Sequence, residues 1–114
     1  VLRGGLTPKH VDRDELLRIV DVTPVDDPML PRIALPGATA YRPAAGFELR
    51  HVEGSHRAGA AACAIVLAAS PTVVEVAGER LSLARGEAAF AASPDAIHVD
   101  APDAWLALEV RDTP

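Results

Sequence analysis

The sequence predicts a mainly β fold, a sandwich or a small barrel, preceded by one short helix and a proline-rich arm. Seven short apolar segments after residue 46 are separated by turn-forming residues, as in all-β domains. Five prolines fall within residues 23–43. A chain of 114 residues has the size of one domain. We expect residues 1–22 to form a motif and a helix, 23–45 a connecting arm, and 46–114 a β domain.

The helix is predicted over residues 11–20. Asp12 is a favourable N-cap, and Glu15 follows at capping-box spacing, with Asp in the place that Ser or Thr usually takes. Pro24 cannot continue the helix. One apolar stripe recurs at helical spacing, formed by Leu16, Leu17, Ile19 and Val20. Because so short a helix is unstable alone, we expect this stripe to dock on the β domain.

Residues 23–43 are predicted to be irregular and extended, because their prolines fix φ and lack backbone donors. A surface arm fits this composition better than a helix or a central strand. Apolar residues such as Val25, Leu30 and Tyr41 would anchor it, which argues against a disordered linker.

The predicted strands cover residues 47–52, 63–68, 73–77, 80–84, 87–91, 96–99 and 105–110. Between consecutive predicted strands lie Gly, Pro, Asp or Ser residues, which predict turns. One such turn is predicted at Pro102 and Asp103, before the last strand. The segment 63–68 is apolar throughout, so we expect it to be covered on both faces. Cys63, the only cysteine, is expected to be a buried thiol without an internal disulfide.

The charge of the chain excludes some partners. The net charge is −5, with 16 acidic residues spread along the sequence. Proteins that bind nucleic acid or anionic membranes usually carry a basic face, so neither is an expected partner. A fold that needs no disulfide suits the cytoplasm, which is the expected location.

The β region contains a set of spaced turn and strand residues, namely Gly78-Glu79, Leu81, Leu83, Gly86-Glu87, Pro94 and His98. At these positions it resembles a cupin, a jelly-roll family. Metal-binding cupins use a His-x-His pair, a Glu and a further His, and only His98 falls at such a position. His51 and His56 would alternate onto opposite faces of a strand, and we expect both in exposed loops. We therefore expect no metal site within the chain, and His98 is expected to cap the barrel mouth.

The segment from Arg3 to Lys9, Arg-Gly-Gly-Leu-Thr-Pro-Lys, resembles a motif of type I mannose-6-phosphate isomerases. In that family the motif leads into a helix, and a C-terminal cupin-like domain follows. The order of motif, helix, arm and degenerate cupin matches over all 114 residues.

The resemblance implies a zinc-dependent isomerase that interconverts mannose 6-phosphate and fructose 6-phosphate through an enediol. The family's active-site arginine falls on Arg3, whose planar fork of donors suits an oxyanion or a phosphate. Lys9 matches the motif's lysine and is the expected substrate-binding residue at the phosphate end.

The family's zinc ligands, a Gln, two His and a Glu, all precede this motif, and the sequence contains no Gln. The first residue is Val rather than Met. We therefore expect the C-terminal piece of an isomerase, separated from its N-terminal catalytic domain and inactive alone. The alternative is a metal-free cupin-like module for binding or dimerisation. Turnover by these residues alone would exclude the hypothesis that the chain is an inactive C-terminal piece. A start codon before Val1 would favour the separate module.

Overall fold

Antiparallel strands dominate the computed structural model, which describes residues 4–59, 61, 63–92 and 95–110. Among these residues the regular elements are α1 (Arg13–Ile19), β1 (Ile33–Leu35), β2 (Ala38–Ala44), β3 (Phe47–Ala58), β4 (Ala64–Ala68), β5 (Thr72–Val76), β6 (Glu79–Leu83), β7 (Ala88–Ala91) and β8 (Ile97–Glu109). The predicted mainly β, cupin-like fold with one short helix is confirmed.

The long strands β3 and β8 organise the sheet, because they pair with each other along almost their whole length. The strand order is β1-β2-β3-β8-β4-β7, and β5 joins β8 and pairs with β6. The first half of β8 pairs with β5, and its second half pairs with β4. One bent strand thus serves two sets of neighbours, and the sheet encloses a core.

A bulge bends this central pair. Val52 pairs with Ala104 and Gly54 pairs with Ala101, so Pro102 and Asp103 both lie opposite Glu53. A bulge tolerates proline because its extra residue donates no ladder hydrogen bond. The turn predicted at Pro102 and Asp103 is therefore wrong, and the two strands predicted on either side are one strand.

The prediction of an irregular arm is wrong for its second half, because β1 and β2 lie within it. The turn between them contains Pro36 and Gly37, whose φ of +74° suits the third position of a type II turn. Pro43 lies where the β2–β3 register shifts between Tyr41 and Ala44. The prolines thus occupy a turn and an irregularity, and β2 lies inside the sheet between β1 and β3. The division into 1–22, 23–45 and 46–114 stays a prediction.

The core lies on the inner face of the curved sheet. Its largest fully buried side chains are Leu106, Val52, Val66, Val99 and Thr72. They come from β8, β3, β4 and β5, so each strand contributes alternate residues to one interior.

Strand β4 differs from its prediction, because only one face is covered. Ala64, Val66 and Ala68 are buried, whereas Ile65 is 50% exposed and Leu67 is 45% exposed. The Cys63 side chain just before this strand is half-buried rather than buried, and its thiol lies 3.6 Å from Glu109 Oε2.

The predicted N-cap of the helix is confirmed. Asp12 is the N-cap, and its Oδ1 accepts a hydrogen bond of 3.0 Å from the backbone N–H of Glu15. Glu15 also pairs with Arg18 one turn later. The helix begins at Arg13 and ends at Ile19, somewhat inside the predicted limits. The described part of the chain contains no helix that is long and apolar enough to cross a membrane.

The predicted docking of the helical stripe on the β domain is wrong. Leu17 is 71% exposed, Ile19 and Val20 are about half exposed, and Leu16 is half-buried. A Cβ added at Gly4 would lie 3.7 Å from Leu16 Cδ2, so this leucine lies over the preceding loop. The helix therefore presents its apolar stripe to solvent.

Candidate functional site

Residues 4–9 of the N-terminal motif form a largely exposed loop before α1. Arg3, the predicted catalytic residue, lies outside the described residues. Lys9, the predicted substrate-binding residue, is exposed, and its backbone N–H donates to Thr7 Oγ1 over 3.2 Å. Among the described residues, the Lys9 ammonium group has no carboxylate within ion-pair distance, so its charge is available to a ligand.

Leu6 shows that this loop is not covered. Its side chain is fully exposed, and its φ of +54° is in the left-handed region. That region costs a residue with a Cβ about 1 kcal/mol or more. Neither the backbone conformation nor the exposed apolar side chain stabilises the loop, so the loop is suited to contact with another surface.

A buried polar cluster lies on the inner face of β3. Glu48 is 5% exposed and accepts from Arg50 Nη2 over 2.8 Å and from Arg50 Nε over 3.1 Å. Arg42 Nε donates to the other carboxylate oxygen over 3.3 Å. Strand alternation places Glu48 and Arg50 on one face, two residues apart. The Glu-x-Arg spacing was a signal for this pair that the sequence reasoning missed.

His56 completes the cluster and connects it to the β1–β2 turn. It is 3% exposed, and its Nδ1 lies 2.7 Å from the carbonyl oxygen of Pro36. Its Nε2 lies 3.0 Å from Arg50 Nη1. Because a carbonyl only accepts and a guanidinium only donates, the neutral tautomer with the proton on Nδ1 satisfies both bonds. Both ring nitrogens are occupied, so the cluster is structural.

The charges of the cluster determine the ionisation of Glu48. Burial by itself raises the pKa of this carboxyl, but the hydrogen bonds and positive charges of Arg50 and then Arg42 outweigh it. The net effect lowers the Glu48 pKa below its ordinary value of 4.5. The ionised form therefore contributes stability above that value, and the contribution is lost as the pH falls through the lowered pKa.

The E48Q substitution is expected to lower the free energy of unfolding by about 2 kcal/mol at pH 7, because it removes charged hydrogen bonds from Arg50. The loss should shrink as the pH falls through the lowered pKa of Glu48, because the parent chain then also loses the ionised carboxylate. Urea unfolding between pH 3 and 7 measures both effects. E79Q is the control, since Glu79 is exposed. Equal pH profiles for E48Q and the parent chain would contradict this role.

His51 lies on the opposite, outer face of β3. Its Nε2 is 2.7 Å from Asp103 Oδ1, its Nδ1 is 3.0 Å from Glu53 Oε1, and its ring stacks on Trp105 at a centroid distance of 4.5 Å. The prediction that His51 and His56 lie in exposed loops is wrong, because both are strand residues with hydrogen-bond partners. Their predicted placement on opposite faces is correct.

His98 is also on the outer face, between the buried residues Ile97 and Val99 of β8. Its Nε2 lies 2.6 Å from Ser55 Oγ. It therefore does not cap the barrel mouth as predicted. Within the described residues, no three His, Cys, Asp or Glu side chains lie close enough to hold a metal ion. The described residues therefore do not fit a zinc site.

Solved structures share this fold along nearly the whole chain. A mutant of phosphomannose isomerase from Salmonella typhimurium matches with a TM-score of 0.73 at 22% identity, over 97% of this chain and 30% of that chain. The apo form of mannose 6-phosphate isomerase from that organism matches with a TM-score of 0.70 at 22% identity, over 97% of this chain and 31% of that chain. The same enzyme bound to its substrate fructose 6-phosphate and to zinc matches with a TM-score of 0.70 at 22% identity, over 97% of this chain and 30% of that chain.

The chain thus spans less than a third of the length of these solved structures. No protein-family model matches it, and no curated protein matches it significantly. At 22% identity the likeness establishes the fold. The chain has the fold of part of phosphomannose isomerase, which is the structural resemblance that the N-terminal motif and the cupin-like turns predicted.

Proposed function

We propose that residues 1–114 are the C-terminal part of a zinc-dependent isomerase that interconverts mannose 6-phosphate and fructose 6-phosphate through an enediol. The observation that carries the proposal is the match of 97% of this chain to about 30% of phosphomannose isomerase. The motif from Arg3 to Lys9 supports the same assignment independently, since it was identified from sequence alone.

In this proposal the chain supplies positive charge to a site completed by residues outside it. Arg3 would stabilise the oxyanion that develops at the reacting carbons, because its fixed donors need no reorganisation. Lys9 would attract the substrate phosphate, and its exposed ammonium group is free to do so. Zinc would polarise the substrate oxygens, and its ligands would lie in the part of the protein that precedes the motif.

The exposed stripe of α1 supports a partner surface beside the motif. Leu17 and Ile19 of α1 and Val20, which follows the helix, come soon after Lys9 in sequence, and each is about half exposed or more. Exposed apolar side chains close together in the chain favour burial against another surface. We propose that the catalytic domain covers these side chains and contacts the motif loop. A single cysteine and no need for a disulfide support a cytoplasmic location.

An isomerisation assay tests the proposal. The chain alone, supplied with zinc and mannose 6-phosphate, is expected to form no fructose 6-phosphate, because its described residues contain no zinc site. The protein encoded by the complete reading frame is expected to convert the substrate and to lose activity with a chelator. Turnover by residues 1–114 alone, or none by the complete protein, would contradict the proposal.

One observation favours the alternative of a metal-free dimerisation module. Ile65 of β4 and Phe90 of β7 are direct cross-strand partners, and they are 50% and 67% exposed. Adjacent exposed apolar residues on a sheet favour association. Sedimentation of the chain distinguishes the readings: a dimer that dissociates on F90E, with no isomerase activity in the complete protein, would support the module.

A further inference from the structure

A row of polar and charged side chains crosses four adjacent strands on the outer surface. Arg57 of β3 pairs with His98 of β8, His98 pairs with Glu75 of β5, and Glu75 pairs with Arg80 of β6. Directly paired residues of antiparallel strands project from the same face. This row therefore forms one continuous surface, which we call the basic row (Arg57, His98, Glu75 and Arg80).

The basic row lines a groove with a volume of about 600 Å³. The β5–β6 turn at Ala77 and Gly78 also lines it. Both turn residues have positive φ, +54° and +79°, as the tight turn of a twisted hairpin requires. A groove of this size accommodates a small organic molecule, and it is larger than an inorganic ion needs.

The groove carries an excess of positive charge. Glu75 is paired with Arg80, whose Nη1 lies 3.6 Å from Glu75 Oε1. Within the described part of the chain, Arg57 has no carboxylate within ion-pair distance. Two guanidinium groups thus accompany one carboxylate, in a chain whose net charge is −5. A locally positive groove on an acidic protein favours an anionic ligand.

The donors suit a phosphate group. Guanidinium groups offer several N–H donors in a fixed plane, and a phosphate monoester presents three terminal oxygens. His98 adds a ring nitrogen, and its hydrogen bond to Ser55 Oγ over 2.6 Å holds the imidazole beside Arg57. When it is ionised, the Glu75 carboxylate accepts hydrogen bonds and donates none. It therefore suits a ligand whose hydroxyl groups donate to it.

We propose that the groove binds a small phosphorylated polyol, with the phosphate at Arg57 and His98 and the hydroxyl groups towards Glu75. The site lies on the outer face of the β region and uses none of the residues of the N-terminal motif. It is therefore independent of the proposed isomerase function.

Titration calorimetry on the chain of 114 residues without zinc tests the site, with glycerol 3-phosphate and inorganic phosphate as probes. Glycerol 3-phosphate is expected to bind more tightly than phosphate, and R57Q is expected to weaken its binding about tenfold. R85Q is the matched control, because Arg85 is exposed in the β6–β7 turn and does not line the groove. Equal weakening by R57Q and R85Q would indicate non-specific attraction and overturn the site.

The E75Q substitution tests the orientation of the ligand. It removes a negative charge from the groove, so phosphate should bind as well as before or better. Glycerol 3-phosphate should lose its advantage over phosphate, because the amide is a weaker acceptor for its hydroxyl groups. Absence of binding by either probe to the parent chain, or an unchanged preference in E75Q, would overturn the proposal. Circular dichroism confirms that each variant is folded.

Discussion

The R3K substitution in the complete protein is expected to lower kcat for mannose 6-phosphate isomerisation by about 100-fold or more. The physical reason is the geometry of the donors. An arginine presents several N–H groups in a rigid plane, whereas a lysine presents one compact ammonium group on a flexible stem. Loss of one pre-positioned donor to a developing oxyanion typically costs two to three orders of magnitude in rate.

Arg13 provides the matched control for this substitution. It is exposed in the first turn of α1, so R13K makes the same chemical change without reaching the motif. R13K should retain the parent activity. K9Q should instead raise KM and change kcat little, because Lys9, the only lysine in the sequence, is assigned to the phosphate. Full activity of R3K would contradict the role assigned to Arg3.

The G37A substitution is expected to lower the free energy of unfolding by roughly 3–5 kcal/mol, the sum of backbone strain and overpacking. A Cβ at Gly37 would lie 2.0 Å from the carbonyl oxygen of Ser55, and backbone cannot move aside as a flexible side chain can. The turn would have to leave β3, which would also disturb the bond between Pro36 and His56.

A comparison with Gly46 separates backbone strain from overpacking as causes of the stability loss in G37A. Its φ of +95° is also in the left-handed region, but an added Cβ would meet nothing within 4 Å. G46A should therefore cost only the conformational part, about 1–2 kcal/mol. Urea unfolding of both variants measures the difference. If G37A and G46A lower the free energy of unfolding equally, the close approach to Ser55 is not the reason that position 37 requires glycine.

Local signals predicted the elements that depend on neighbouring residues. The N-cap at Asp12 was predicted because its side chain bonds an amide three residues away. Most strands were predicted, because the turns between them contain residues that the turn geometry itself favours. The motif from Arg3 to Lys9 indicated the structural relatives, since it is a contiguous stretch of sequence.

Predictions failed where the outcome depends on distant partners. Pro36, Pro43 and Pro102 were taken as signs of an arm or a turn, yet they occupy a hairpin turn and irregularities within the sheet. A proline breaks a strand only where the neighbouring strand requires a backbone N–H donor at that position. The register with the neighbouring strand therefore determines whether the proline is tolerated.

By itself, then, the sequence determined the β class, the capped helix and the motif that resembles one of mannose-6-phosphate isomerases. Only the tertiary structure decided that Glu48 and His56 share a buried cluster and that the helical stripe lies exposed. The same holds for the row of Arg57, His98 and Glu75, whose members come from three strands. The physical reason is that local propensity acts over a few residues, whereas burial and cross-strand contact depend on which distant segments pair.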